Sequence, residues 1–303
     1  MSLLVVGSVA FDALETPSGR VERTLGGAAT YFALAASYFS PVRLVGVVGD
    51  DFTARDAAAF RGRRIDLAGL ERARGKSFFW AGRYSDDLTD RVSLATELNV
   101  FAKFQPKLPP HYRDSRYVFL ANIDPTLQLS VLRQIRRRPR VVALDTMNYW
   151  IERTPVELRR TLRHTDILII NDSETRQLAG KRNLLEAAEH VLRMGPRTLV
   201  IKRGEFGAMM LRGRSQFTIP GFSLRNPSDP TGAGDAFAGG FMGSLAAAGR
   251  VTPDAFRRAI VFGSVMGSFT VERIGVERLR RLTRAEINAR AREFRRMTRF
   301  RLQ

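Results

Sequence analysis

Short apolar runs separated by helical patterns recur along this chain, and that alternation constrains the fold more than any other feature. The runs "LLVVGSVA" from Leu3, "RLVGVVG" from Arg43, "YVFLAN" from Tyr117, "VVALDT" from Val141, "DILIIN" from Asp166 and "TLVIKRG" from Thr198 read as strands. Between them lie helical patterns: "AATYFALAASYF", "TARDAAAFRG" ended by Gly62, segments around 126–137 and 155–163, and "LLEAAEHVLRMG". Strands alternating with helices at this spacing imply βαβ units, hence an α/β fold with a doubly wound, mostly parallel sheet flanked by helices. Several strands are apolar at every position, as a sheet covered on both faces requires.

Two segments break the rhythm. Residues 11–24 and about 76–100 alternate polar and apolar positions, and "KSFFWAGRYSDDLTDRVSLATEL" reads as a hairpin turning at "SDDLTD". These pieces do not fit helical crossovers. They are expected to form a small β-sheet lid on a single domain spanning 1–303, with a plain surface hairpin as the alternative. Trp80, Phe78 and Phe79 would then pack the lid or a dimer contact. Arg83 and Arg91 read as solvent-facing, the sharper alternative being a lid arginine that reaches a phosphoryl group.

The chain has 303 residues, 44% hydrophobic and 26% charged, enough for a substantial core. It has no cysteine and three histidines, which excludes disulfides and thiolate metal sites and argues against a multi-histidine zinc site. No apolar run reaches the ~18 residues of a membrane span, and the N-terminus lacks a basic leader, so a cytoplasmic protein without membrane association is expected. The formal charge of +19 comes from arginines spread along the chain, densest in "RQIRRRPR" and "AREFRRMTRFRLQ". This reads as a solvated surface that attracts anions weakly, not as a nucleic-acid site.

"NPSDPTGAGDAFAGG", Asn226 to Gly240, carries the chemistry. Pro227 and Pro230 interrupt local structure, Gly232 and Gly234 permit close backbone approach, and an apolar helix then runs to Gly249, a C-cap. Thr231–Asp235 thus starts a helix, where free N–H groups and the dipole favour an anion. The amides of 232–235 are placed to hold a transferring phosphoryl group, and Asp235 to accept the proton of an attacking hydroxyl. Alone, Asp235 reads equally as a helix-start charge. Other phosphate motifs fail on spacing: "RGKS" has Leu70 where a P-loop needs Gly, and a G-x-G-x-x-G fingerprint would need Gly in place of Phe237.

"DPTGAGDAFAGGF" closely resembles the C-terminal signature of the ribokinase-like (PfkB) carbohydrate kinases. Further elements follow that family's order: "VVGSVAFD", "LGGAATYFALA", "VGVVGDDF", "NDSE" and "IKRGEFGA". The resemblance implies Asp235 as general base and Gly232, Ala233 and Gly234 as anion hole. It implies Asn171 and Glu174 as organisers of a Mg2+–phosphate water network, and Lys202, Gly204 and Thr231 near ATP, with the adenine around 258–272. Asp12, Gly26 and Gly27 would bind substrate hydroxyls. Asp229 and Thr231 match positions that bind a monovalent cation such as K+, completed by carbonyls near Val271–Gly275. Related lids often pair between subunits, which makes a homodimer an expectation too.

One position departs from the family pattern. Where many sugar-specific members carry Asn in G-G-x-x-x-N, this chain has Tyr31, which speaks against ribose and for a more aromatic substrate pocket. Asn122 and Asp124, then Asp145 and Asn148, follow strand ends, where α/β sheets place ligands. One of Asn122 and Asp124 is expected to touch substrate. By residue type and spacing, Asn171 and Glu174 also read as a helix cap and its partner. The expected function is an ATP-dependent kinase of a sugar or sugar-like hydroxyl. The alternatives are a nucleoside kinase of the same fold and a non-catalytic polyanion-binding protein.

Overall fold

The computed structural model describes residues 2–299. Among these residues, thirteen strands fall into two sheets. They are β1 (Leu3–Val6), β2 (Ala10–Thr16), β3 (Gly19–Gly26), β4 (Val42–Val48), β5 (Ile65–Arg72), β6 (Phe78–Tyr84), β7 (Arg91–Glu97), β8 (Tyr117–Leu120), β9 (Val141–Leu144), β10 (Ile167–Asn171), β11 (Thr198–Lys202), β12 (Ala208–Arg212) and β13 (Ser215–Ile219). The large sheet has the order β13-β12-β11-β10-β9-β8-β1-β4-β5. It is parallel from β11 to β5, with β12 and β13 antiparallel at one edge. Leu3 and Val5 enter one core and Leu4 and Val6 the other, as side chains alternate across a sheet buried on both faces. Helices Ala28–Ala36, Ala233–Ala248 and Pro253–Thr270 cover the first face. Helices Pro125–Gln134, Pro155–Leu162 and Leu184–Leu192 cover the second.

The second sheet has the order β3-β2-β6-β7. It contains the two segments whose alternation broke the βαβ rhythm, and Ser85–Asp90 makes the hairpin turn between β6 and β7. The run "LLVVGSVA" is not one strand. β1 ends at Val6, and the chain passes through Gly7–Val9 into β2, which belongs to the other sheet. Strand β5 and the β12–β13 edge carry weaker apolar patterns and are seen only in the fold. "TARDAAAFRG" forms a four-residue helix, Ala54–Ala57, and a 3-10 turn rather than a full helix. Among the described residues no helix is long and apolar enough to cross a membrane. The C-terminal basic run begins in helix Arg284–Met297, and its last residues lie outside the described ones.

Candidate active site

Helix Ala233–Ala248 starts at Gly232, whose φ of 72° lies in the left-handed region. A Cβ there would also run into the fully buried ring of Tyr31, so both backbone angle and close approach demand glycine. Behind the turn, buried Asp229 accepts the N–H groups of Thr231 and Gly275, each at 2.9 Å. The N–H groups of Ser228 and Asp229 in turn donate to the Val271 carbonyl, at 2.7 and 3.3 Å. The Pro230–Gly234 loop is thereby tied to the 271–275 segment.

The amides of this loop differ in availability. The Ala233 N–H donates to the Pro230 carbonyl at 3.1 Å. Ala233 therefore holds the turn together and does not present its N–H as the anion-hole reading of the sequence expects. Among the described residues the N–H groups of Gly232, Gly234 and Asp235 have no acceptor, leaving three donors at a helix N-terminus.

Around this cradle stand Asp12, Asp145, Glu174 and Asp235, with Lys202 as counter-charge. The Lys202 ammonium donates to Asp145 Oδ2 at 3.0 Å, and a Cβ on Gly234 would sit 3.1 Å from it. Burial alone would lower the Lys202 pKa, but Asp145, Glu174 and Asp235 outweigh it and keep the ammonium charged. The Asp235 carboxylate accepts no hydrogen bond from a described residue, and solvent reaches part of it. It is nonetheless set deep enough that burial, with Asp145 adding, pushes its pKa up to about 7 against the pull of Lys202 and Arg91. Burial likewise raises Glu174 to about 7, with Lys202 opposing. Asp12 is raised to about 8 by burial, then by Asp229 and Asp235. No side chain fits at Gly26, because its Cβ would fall on the Asp12 carboxylate.

These shifts have a consequence for stability. The folded chain holds the Asp12, Glu174 and Asp235 protons to higher pH than the unfolded chain, so it binds more protons between about pH 4 and pH 8, and stability falls as pH rises through that window. Glu15, Asp66, Asp87 and Glu286, shifted down, act below it. Thermal unfolding of the ligand-free protein is expected to show a lower Tm at pH 8 than at pH 5.5; a flat or rising trend would contradict the assigned burial.

The other sequence-derived positions divide. Asn171 and Glu174 form a reciprocal capping box: Glu174 N–H donates to Asn171 Oδ1 at 2.7 Å, and Asn171 N–H to Glu174 Oε2 at 2.8 Å. The cap reading is therefore correct. Among the described residues it leaves Glu174 Oε1 and the Asn171 amide N–H2 group without a hydrogen bond, and the register Asn171–Lys202 keeps the pair beside the cradle. Gly27 has φ 92° and starts helix Ala28–Ala36 against β2. Gly204 has φ 54° in an open turn two residues beyond Lys202. Asn122 is engaged at both ends, donating to Met147 Sδ and accepting from Trp150 Nε1, and Asp124 caps helix Pro125–Gln134. Both are thus occupied in holding local structure. Tyr31 does not open into a pocket as a substrate-binding wall would. Its ring lies beneath Gly232, and its buried hydroxyl has no partner among the described residues.

Three residues given no firm role from sequence join the site. Asp145 comes from the end of β9, where its position after a strand was the available signal. Tyr84 and Arg91 face each other across the β6–β7 hairpin. Tyr84 Oη lies 2.9 Å from Thr231 Oγ1. The Arg91 charge lowers the pKa of Asp12, Glu174 and Asp235, whereas Arg83 points away to Glu15. Trp80 is in register with Asp12 across β2–β6, which puts the indole on the Asp12 face of the small sheet. Phe78 stacks on Phe101 as lid packing. No group of three or more His, Cys, Asp or Glu among the described residues converges to hold a metal by itself. A cavity of about 700 Å3 lies on the outer side of the Asp229 loop, lined by Ser228, Glu272 and Arg273 among others. The acid cluster does not line it, and the chemistry belongs with the charges, not with that volume.

Comparison with known proteins agrees with this geometry. Residues 2–280 match the model of the pfkB family of carbohydrate kinases. A cytidine kinase of Thermococcus kodakarensis is 30% identical over 249 residues, covering 80% of this chain and 87% of that protein. An inositol 3-kinase of Arabidopsis thaliana is 28% identical, covering 90% of this chain and 74% of that protein. The aminoimidazole riboside kinase of Salmonella enterica, solved with its riboside and an ATP analogue, superposes with a TM-score of 0.78 at 19% identity, covering 96% of this chain and all of that one. Similarity over nearly the whole chain, together with a glycine loop that opens a helix beside Asp235, places this protein in the pfkB family of carbohydrate kinases.

Proposed function

We propose that this ATP-dependent kinase transfers the γ-phosphoryl group to a hydroxyl of a sugar or sugar-like acceptor, with Asp235 as the base. The observation that carries the reading is a carboxylate, unpartnered among the described residues, in the first turn of a helix that starts with three free N–H groups. The amides of Gly232, Gly234 and Asp235 hold the charge on the transferring group, with Lys202 next to Gly234 adding positive charge. Asp12 and the backbone of Gly26 and Gly27 orient the acceptor hydroxyls. Lys202, Gly204 and Thr231 lie on the nucleotide side. The free Glu174 oxygen would accept from the waters of a Mg2+ bound mainly through ATP, which would supply charge neutralisation on the phosphates, and the Asn171 N–H2 group would donate to a phosphate oxygen. The buried Asp229 and the 271–275 carbonyls beside it suit a K+-like ion, and cytoplasmic location and pairing through the exposed Val92 and Leu94 of β7 complete the reading. Sedimentation would register such a dimer.

A nucleoside acceptor is the second reading. It is favoured by Trp80, whose indole shares the Asp12 face of the small sheet and offers a surface for a base, and by the name of the Thermococcus relative. The test is an ATP-consumption screen over free sugars, polyols and nucleosides. Turnover with one class selects the reading. No turnover with any acceptor, combined with tight, salt-sensitive nucleic-acid binding, would overturn both in favour of a polyanion-binding protein.

A further inference from the structure

A buried hydrogen-bonded chain joins the β6–β7 hairpin to the glycine loop. Tyr84 is the last residue of β6, paired with Arg91 just before the exposed turn. Its hydroxyl lies 2.9 Å from Thr231 Oγ1, and both residues are buried. Thr231 donates its backbone N–H to Asp229 Oδ1, its hydroxyl also faces that carboxylate, and Asp229 Oδ2 accepts from Gly275 N–H. The chain therefore runs Tyr84, Thr231, Asp229, Gly275. On the other side of the same loop, Tyr31 lies flat against the Gly232 backbone. These two supports hold Thr231 and Gly232, the residues that lead into the free amides of Gly232, Gly234 and Asp235.

We propose that Tyr84 is a positioning residue that couples the hairpin to the anion cradle: its hydroxyl locks Thr231 against Asp229 only when the hairpin packs down, and so sets the Gly232 and Gly234 amides for phosphoryl transfer. Packing alone would be served by phenylalanine. The phenol oxygen, buried with a single side-chain partner on the loop, is what distinguishes this position. Separating the pair takes from the buried Tyr84 hydroxyl its one partner on the loop, while Thr231 keeps Asp229, so the bond ties the hairpin to the loop. The consequence is that the cradle is complete only with the acceptor covered, which limits transfer of the phosphoryl group to water. This inference rests on the reading of the loop as the phosphoryl site.

The test is a double-mutant cycle of Tyr84→Phe and Thr231→Val in the full chain, with the acceptor found by the screen. Each single change is expected to lower kcat about 2- to 10-fold, the range for one hydrogen bond, and Tyr84→Phe to leave KM for ATP little changed. The double variant is expected to be no worse than Thr231→Val alone, because Tyr84→Phe removes only a bond that Thr231→Val has already removed. Thr231→Ser keeps the hydroxyl and should restore kcat. A merely structural role would move neither the split between kcat and KM nor that rescue. Multiplying effects in kcat, or wild-type turnover by Tyr84→Phe, would overturn the coupling while leaving the kinase reading intact. If the wild type phosphorylates no acceptor, the functional reading fails instead. The same cycle read in Tm then decides the bond itself, non-additive shifts supporting it and additive ones removing it.

Discussion

Asp235→Asn is expected to lower kcat by at least about 100-fold, the lower range for losing a general base, while ATP binding is retained or tightened. The amide has the shape of the carboxylate and cannot take a proton. It also removes a negative charge beside the phosphates, so affinity has no reason to fall. Because Asp235 is held at about 7, wild-type kcat/KM should climb as pH rises through that value, since the base works deprotonated. That limb should disappear in the variant. Isothermal titration with an ATP analogue and steady-state rates across pH test both parts. Near-normal turnover by Asp235→Asn would falsify the assignment of the base.

The second large effect is expected at Lys202. Its ammonium is the cation bonded to Asp145, and it lowers the pKa of Asp145, Glu174 and Asp235. Lys202→Met leaves Asp145 buried without compensation. Breaking such a pair costs about 3–5 kcal/mol where the remaining acid stays ionised. Asp145 escapes part of that by keeping its proton, for burial already pushes it up. The loss of Tm should therefore be larger at pH 8 than at pH 5.5. The rising limb of kcat/KM should also move to higher pH, because Asp235 loses the charge that lowers it. Asp145→Asn combined with Lys202→Met should recover much of the stability, since no unpaired charge then remains. An unchanged Tm and an unmoved pH profile in Lys202→Met would remove the pair from the account.

Much of this site was legible because its key groups are close in the chain. Gly232, Gly234 and Asp235 lie within one helical turn, so composition and spacing sufficed to place them together at a helix start. Asn171 and Glu174 are three residues apart on a helix start, and the cap follows from that, whereas their place beside the cradle comes from the register of Asn171 with Lys202. Legibility ended where partners are distant. Tyr31 reads as a substituted sugar contact from its place after Gly26 and Gly27, yet it packs more than two hundred residues away on Gly232. The availability of the Ala233 amide depends on the turn geometry of Pro230, and no residue type announces it.

By itself the amino-acid sequence determined the parallel sheet, the interruption by a second small sheet, and the glycine-led helix start before Asp235. Each of these arises from periodicity or from neighbours in the chain, and hydrophobic burial and free helix N–H groups translate such patterns directly into structure. Only the tertiary structure decided that Lys202 pairs with Asp145, that Tyr84 reaches Thr231 and that Tyr31 supports Gly232. Those pairings join residues from separate strands, helices and sheets. Their charge states and hydrogen bonds depend on burial, which exists only once the elements have packed together.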